Sequence, residues 1–404
     1  MKLFDKIFQG DKVIWMVVAL LVIFSLLAGY SSAERFAFIW EGGNVALVLK
    51  KHVQTILIGV ALMYVAYMMK YTWFSKLFQI AMIFSIPLLI LTLVNGKSVN
   101  GAQRALTING KELFQTSEFA KVALIGYLAR MLALGQEKYH DYKAVIIDLF
   151  VPIALICGLI FTENLSTAAI LAAVSLMLLF VGRIKFKFLM AFVGVCIMLA
   201  GLYVVIDPKS SDKKDEGSVQ VDNRIGTWGG RIKEFFVGVD LESMTDAERI
   251  EYMNNSQEIQ SELAIASGGL VGKSPGKSTQ RNFLQHSYSD FIYSIIVEEY
   301  GLLGGVVVML LYLILLFRSI RIMMEIPESF GAYVAFGLAS LIVVQAFAHI
   351  AVAVGLAPVT GQPLPFISKG GSSMMSTGAA IGVILSVSKK VDKIKRRRNE
   401  LAAA

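Results

Sequence analysis

A carboxylate at a loop-to-helix boundary is the group in this sequence best placed to do chemistry. Asp290 closes the segment Leu284-Gln-His286-Ser-Tyr288-Ser-Asp290 and opens an apolar run that later carries Glu298 and Glu299. At such a boundary a carboxylate is partly desolvated and can reach a substrate as a general base; the competing reading is a helix-capping aspartate. Glu298 follows two turns later, about 12 Å along a helix axis. That is too far for the carboxylate pair of retaining glycosidases, which stands about 5 Å apart. A second cluster combines Arg104, in Gly101-Ala-Gln-Arg104, with Glu118 and Lys121 in Phe114-Gln-Thr-Ser-Glu118-Phe-Ala-Lys121. Glu118 and Lys121 are three apart, so they share a helical face and can pair. Ionisable side chains in a membrane helix are costly and turn toward the protein interior or a watery cavity. With Arg104 nearby the set suits a phosphate or carboxylate, and the competing reading is a purely structural pair.

Two further segments are written in glycine and proline. Ala264-Ile-Ala-Ser-Gly268-Gly269-Leu-Val-Gly272-Lys273-Ser-Pro-Gly276-Lys277-Ser278 invites comparison with a nucleotide-binding loop. The spacing fails, because Val271 stands where the first glycine is needed, and no strand precedes the loop. A flexible basic hairpin near an anionic substrate is the remaining expectation, with Lys273 as its cation. Pro358-Val-Thr360-Gly361-Gln-Pro363-Leu-Pro365-Phe-Ile-Ser368-Lys369-Gly370-Gly371-Ser372-Ser373 lies between apolar runs. Non-helical backbone at membrane depth is tolerated only when it is buried in protein or lines an aqueous cavity. Ser368 and Lys369 are therefore candidate substrate contacts.

The elements that must hold these residues are membrane helices. Of the 404 residues, 56% are hydrophobic and 17% charged, with a mean hydropathy of +0.64, outside the range of soluble domains. The apolar residues fall in runs long enough to cross about 30 Å of hydrocarbon. Ten spans are expected, near 13–30, 52–69, 74–94, 114–134, 146–162, 165–182, 188–206, 291–317, 334–355 and 372–388. The first run exceeds a signal-peptide core and lacks a small-x-small cleavage site, so it is expected to be retained. Cys157 and Cys196 fall inside apolar runs, and His52, His140, His286 and His349 show no ligand spacing. The net charge of +8 collects at helix ends rather than in a nucleic-acid patch. Basic residues at alternate connections and in the tail 389–404 put both termini in the cytoplasm. The long connection 207–289 then lies outside, with Asp207–Asp222 disordered and Trp228, Phe235, Phe236 and a helix near Leu241–Leu263 ordered at the surface. The class is an all-α polytopic membrane protein: one domain, 1–404, with a long extracytoplasmic loop between helices seven and eight.

Together the four clusters resemble the SEDS (FtsW/RodA) family of peptidoglycan glycosyltransferases, in the family's order along nearly the whole chain. The most specific segments are Gln115–Lys121, the Ser-Gly-Gly-x-x-Gly-Lys run, Ser289–Ile292, and Leu364–Ser373. The resemblance implies ten helices and a reaction at the outer face of the inner membrane. Two molecules of lipid II are joined: an acceptor hydroxyl attacks the donor anomeric carbon and undecaprenyl pyrophosphate leaves. The family's essential aspartate maps to Asp290, as general base or as the carboxylate that positions the acceptor or a divalent cation (Mg or Mn). Arg104, Lys121 and Lys273 would stabilise the departing pyrophosphate. The sequence departs from the family at Ala105 (often Trp) and at Glu163-Asn164-Leu-Ser166-Thr167 for Pro-Asp-Leu-Gly-Thr. Gln285–Asp290 stands for Pro-Glu-x-His-Thr-Asp, and Lys369 for the usual tyrosine.

Gly370–Ser373 and Val352 favour the division (FtsW) branch over the elongation (RodA) branch. A lipid II flippase and a non-catalytic division scaffold are the competing classes; a flippase needs polar residues through the whole bundle, and a scaffold does not need Asp290. Implied partners are a class B penicillin-binding protein, which crosslinks the glycan, and other divisome proteins. Gly337, Ala339, Ser340, Gly378, Ala379 and Gly382 in the last two spans suggest that the partner's helix docks there.

Overall fold

In a computed structural model, residues 8–40, 42–95, 97–99, 102–108, 111–135, 137–206, 245, 252, 256–284 and 287–403 are described. They form α1 (Lys12–Trp40), α2 (Val45–Met68), α3 (Tyr71–Asn95), α4 (Thr116–Leu134), α5 (Tyr142–Phe161), α6 (Leu165–Val181), α7 (Phe186–Ile206), α8 (Gln257–Gly268), α9 (Ile292–Glu325), α10 (Ser329–Ala353) and α11 (Gly371–Ala403). Between α3 and α4 stands a three-stranded antiparallel sheet of β1 (Lys97–Val99), β2 (Ala102–Ile108) and β3 (Lys111–Gln115). Seven helices, α1, α2, α3, α5, α9, α10 and α11, are long and apolar enough to cross a membrane; α6 and the Phe186–Cys196 part of α7 are shorter apolar helices. The α4 helix carries Glu118, Lys121 and Arg130. The polytopic helical class is therefore as expected, and the small sheet is an addition to it. Phe114, expected to open the fourth span, instead pairs with Leu106 in the sheet.

Local sequence explains the breaks. After α5, Asn164 caps α6 by accepting from the Thr167 amide at 3.1 Å, which turns the Glu163-Asn164 interruption into a helix start. Within α9, Gly301 has φ +71° and ends regular helical pairing. Carbonyls and amides freed at that bend find partners in the Gly268–Ser274 segment. Lys273 N donates to Glu298 O (2.9 Å), Ser274 N to Glu299 O (3.0 Å), and Leu302 N to Gly269 O (2.9 Å). Two glycines make this approach possible, because a Cβ on Gly272 would lie 2.2 Å from Glu299 O and one on Gly301 2.2 Å from Leu270 O.

The centre of the bundle is α10. Of its membrane-crossing window 78% is buried inside the protein, and of that of α11 72%, against 22% for α2. Gly337 packs on Ile125 and Leu178, while Gly378 and Gly382 press against the backbone of α2 at Gly59 and Met63. Ala339 and Ser340 are fully buried. Internal packing therefore accounts for these five small residues, which removes them as a docking face for a partner helix, while Ala379 lines an apolar cavity. One end of the bundle joins the chain before α1 to the ends of α9 and α11. Asp11 pairs with Arg318 at 2.5 Å, Asp11 N donates to Ser388 Oγ at 3.1 Å, and Lys395 pairs with Glu325 at 2.8 Å. The basic tail continues α11 as helix through Ala403. Around the sheet, α8 and the loops, the other end carries the chemistry.

Candidate functional site

The segment after α10 is the hub. Three helices, α1, α9 and α10, hold its backbone: Ser25 Oγ (α1) donates to Ile367 O at 2.9 Å, Gln345 Nε2 (α10) to Pro363 O at 3.2 Å and His349 Nδ1 (α10) to Gln362 O at 2.7 Å. From α9, Tyr312 Oη donates to Pro365 O at 2.5 Å, and Gln362 Nε2 reaches Thr167 Oγ1 of α6 at 2.6 Å. Lys121 of α4 donates to Gln345, which links that helix to the same hub. Phe366, buried to 1% exposure, adopts φ +65°. That strained backbone persists because its neighbours on both sides are bonded.

Residues 287–290 are laid against this hub. Ser368 Oγ donates to Ser289 O at 2.7 Å while accepting from Leu364 N at 2.8 Å, and Lys369 N donates to Tyr288 O at 3.1 Å. The Lys369 ammonium stands 5.7 Å from the centre of the Tyr288 ring. Asp290 follows, half-buried. Helix α9 has Phe291 as its N-cap with no side-chain cap bond, so the capping role open to Asp290 on sequence grounds is not taken up. Among the described residues, no hydrogen bond or ion pair holds the Asp290 carboxylate. It does lie within electrostatic reach of His349. Phe291 is fully buried against Leu284, Ile295 and Val352, which anchors the turn that presents Asp290.

Glu118 and Lys121 pair at 2.7 Å with side chains 5% and 2% exposed. Lys121 also donates to Gln345 Oε1 at 3.1 Å, and Ser376 Oγ donates to Glu118 Oε2 at 3.0 Å. The pair therefore ties α4 to α10 and α11, and Gln115 N adds a bond to Ser372 Oγ at 2.8 Å. Arg104 lies on β2 at a bulge: Gln103 pairs with Ser98 and Ala105 with Lys97, leaving Arg104 as the extra residue.

The glycine-rich loop is not the flexible hairpin expected from its composition. Glu298, fully buried, accepts from Lys273 Nζ at 2.7 Å, Thr279 N at 3.0 Å, Thr279 Oγ1 at 2.8 Å and the Ser278 hydroxyl. Those bonds, with the backbone bonds to Glu298 O and Glu299 O, pin the loop to α9. Lys273 thus answers a carboxylate of its own chain.

His349 and His52 belong to this region, although their spacing in the sequence carries no signal. His52 lies in the α1–α2 contact, 3.2 Å from Ser25 Oγ, and feels the charge of Lys369. His286, and with it Asp207–Asp222, Trp228, Phe235, Phe236 and the Leu241–Ser256 part of the outer loop apart from Thr245, Tyr252 and Ser256, lie outside the described residues. The part of the expected surface helix that is described is α8. Among the described residues no three His, Cys, Asp or Glu side chains stand together as a metal cage.

The FtsW/RodA/SpoVE family model, described as a cell cycle protein, matches residues 11–393. A protein named probable peptidoglycan glycosyltransferase FtsW from Geobacter metallireducens is 29% identical over 390 residues, covering 96% of both chains. Stage V sporulation protein E of Bacillus subtilis is 30% identical over 393 residues, covering 94% of this chain and 97% of its own. Among solved structures, one described as the structural coordination of polymerization and crosslinking by a peptidoglycan synthase complex superposes with a TM-score of 0.69. It covers 95% of this chain and 98% of its own at 20% identity, which is a likeness of fold.

Proposed function

Because this chain belongs to the FtsW/RodA/SpoVE family, we propose that it is a peptidoglycan glycosyltransferase that polymerises lipid II into glycan strands during cell division. The observation that carries the chemistry is Asp290: a half-buried carboxylate with no hydrogen-bond partner among the described residues, held on a turn fastened to the hub by Ser368 and Lys369. A carboxylate so presented accepts the proton of the acceptor sugar hydroxyl. The hydroxyl oxygen then bonds to the donor anomeric carbon as that carbon's bond to the pyrophosphate oxygen breaks. Undecaprenyl pyrophosphate departs with the electron pair. Cations near the site stabilise that leaving group; Arg104, Lys121, Lys273 and Lys369 are the candidates, with Glu118 and Ser368 as supporting contacts. Among the described residues, the carboxylate here for a divalent cation, Mg or Mn, is Asp290. The cation fits only as an ion shared with substrate phosphate and water, where it would neutralise diphosphate charge.

The lipid half of the substrate has a place as well. An apolar cavity of about 540 Å³ lies between α2, α3, α4 and α11, lined by Leu62, Phe74, Phe78, Phe119, Met375 and Ser376 among others. Ser376 bonds Glu118, so the cavity joins hydrocarbon surface to the polar frame of the site, as a polyprenyl-linked sugar requires. Ten spans, cytoplasmic termini and an outer-face site in the inner membrane complete the reading. Its supports are the joined ends at Asp11, Arg318 and Ser388 and the basic charge of the tail. Residues 1–404 act as one domain, with 207–289 as its outer loop and 389–404 as its cytoplasmic tail. Crosslinking falls to a class B penicillin-binding protein, alongside other divisome proteins. The test is polymer formation from labelled lipid II by purified protein, alone and with its partner. Asp290→Asn should abolish it at matched protein levels; near-normal polymer from that variant would remove Asp290 from the chemistry.

A further inference from the structure

We propose that the tip of the glycine-rich loop, Leu270 and Val271, is a membrane anchor. It enters the acyl region of the leaflet on the site's side and continues the lipid-facing flank of α9. The anchor rests on the polytopic fold alone and is independent of the reaction assigned to Asp290.

Leu270 and Val271 are 69% and 78% exposed. The loop directs the side chains of Lys273, Ser278 and Thr279 to Glu298 and leaves these two aliphatic ones outside. Single exposed leucines are ordinary on any protein, so the position of the tip is what matters. Leu302 N donates to Gly269 O at 2.9 Å and Leu303 N to Leu270 O at 3.3 Å. Those bonds fix the tip level with the first turn of α9 beyond the Gly301 bend. Before the bend α9 is enclosed, with every residue from Ile292 to Glu299 buried. After it the helix shows an apolar stripe, Leu303, Val307, Leu310 and Phe317, between 44% and 65% exposed. Spacings of four, three and seven put these side chains on one helical face, and on a membrane-crossing helix an exposed apolar face meets lipid.

The rise of the helix sets the depth. From Leu302 to Arg321 it climbs about 28 Å, close to the roughly 30 Å of a hydrocarbon core. Arg321, exposed and paired with Glu325, marks the far boundary of that core. Leu302 therefore marks the near one, and Leu270 and Val271 lie beside it. Lys277, exposed in the same loop, adds a cation suited to anionic headgroups. Apolar side chains backed by lysine are the composition of an interfacial anchor.

The test places single cysteines, Leu270→Cys or Val271→Cys, in the full-length Cys157→Ala/Cys196→Ala protein, reconstituted in vesicles of phosphatidylethanolamine and phosphatidylglycerol. Leu310→Cys is the deep lipid reference and Lys277→Cys the water reference. Bimane labels at 270 and 271 should be quenched by acyl chains brominated near the glycerol end more than by chains brominated near the methyl end, and the label at 310 the other way round. Unlabelled Val271→Cys should react with a charged methanethiosulfonate at least about tenfold more slowly than Lys277→Cys, because each pKa unit that a desolvated thiol gains lowers its thiolate fraction tenfold. Reaction at the Lys277→Cys rate without bromolipid quenching would put the tip in water and overturn the anchor. Slow reaction without quenching would overturn it as well, in favour of a protein cover, whether a partner chain or residues 207–255 of this chain. Both positions are highly exposed, so cysteine removes little packing there. Thermal melts check each variant, and either position carries the test if the other misfolds.

Discussion

Asp290 and Glu298 lie eight residues apart on one stretch of chain, and their carboxylates have opposite surroundings. Glu298 is fully buried and collects the Lys273 ammonium, two hydroxyls and the Thr279 amide. Asp290 is half-buried and is left without a hydrogen-bond partner among the described residues. A saturated carboxylate has its lone pairs committed, and moving a proton onto it would break several bonds at once; it serves as a fastener. A carboxylate left open at a fixed place can accept a proton from something that is not part of the chain. The two share a helix-forming segment, and what separates them among the described residues is the loop packed over Glu298.

The sharpest way to break that contrast is to neutralise each carboxylate. Asp290→Asn should lower the polymerisation rate about 10²- to 10⁴-fold, the usual contribution of a general base, with melting unchanged. A large fall in melting temperature would instead make Asp290 structural. Next is the Glu118–Lys121 pair, whose members are both almost fully buried. Lys121→Ala should cost about 3–5 kcal/mol of stability, because it strands a buried charge. Glu118→Gln/Lys121→Met should recover part of that loss, and singles that melt like wild type would refute the pairing argument. Glu298→Ala should cost less, about 2–3 kcal/mol, since the Lys273 side chain is 31% exposed and can turn toward water. Limited proteolysis should then cut within 269–282; an uncut loop would mean that backbone bonds alone hold it. The smallest effect is expected from Ser368→Ala, about 1 kcal/mol for its lost hydrogen bonds. It should come with a higher KM for lipid II, and an unchanged KM would show the Ser289 contact to be dispensable.

Much of this was legible in the sequence. Hydropathy marked the apolar helices because lipid admits few alternatives, although seven of those described, not ten, are long and apolar enough to cross. The proline-glycine density of 358–371 announced non-helical backbone where helix is otherwise obligatory. The Glu118–Lys121 spacing gave the pair directly. Other features were hidden by distance or by a local signal passed over. Both connections of the sheet carry Asn-Gly, at Asn100-Gly101 and Asn109-Gly110, between the paired residues Val99 and Ala102 and Ile108 and Lys111. That dipeptide is the strongest two-residue hairpin signal, and it predicts the sheet. Nothing local ties Lys273 to Glu298, 25 positions on, or His349 to the carbonyl of Gln362. Small residues in α10 and α11 mark close packing, but the sequence does not say whether the neighbour is another protein or α2.

The bond from Ser25 to the carbonyl of Ile367 spans 342 residues of sequence, and this has a consequence for biogenesis. As the chain leaves the ribosome, α1 and α2 enter the bilayer with Ser25 and His52 able to satisfy only each other. Glycines 59, 378 and 382 cannot meet until α11 is made. Polar groups waiting in hydrocarbon are costly, so the early helices are expected to stay with the insertion machinery, or to be cleared by quality-control proteases, until the last tenth of the chain arrives. A nonsense mutation just before Ile367 would then remove more than the tail: it would leave the first helices without the partner that makes them stable in the membrane.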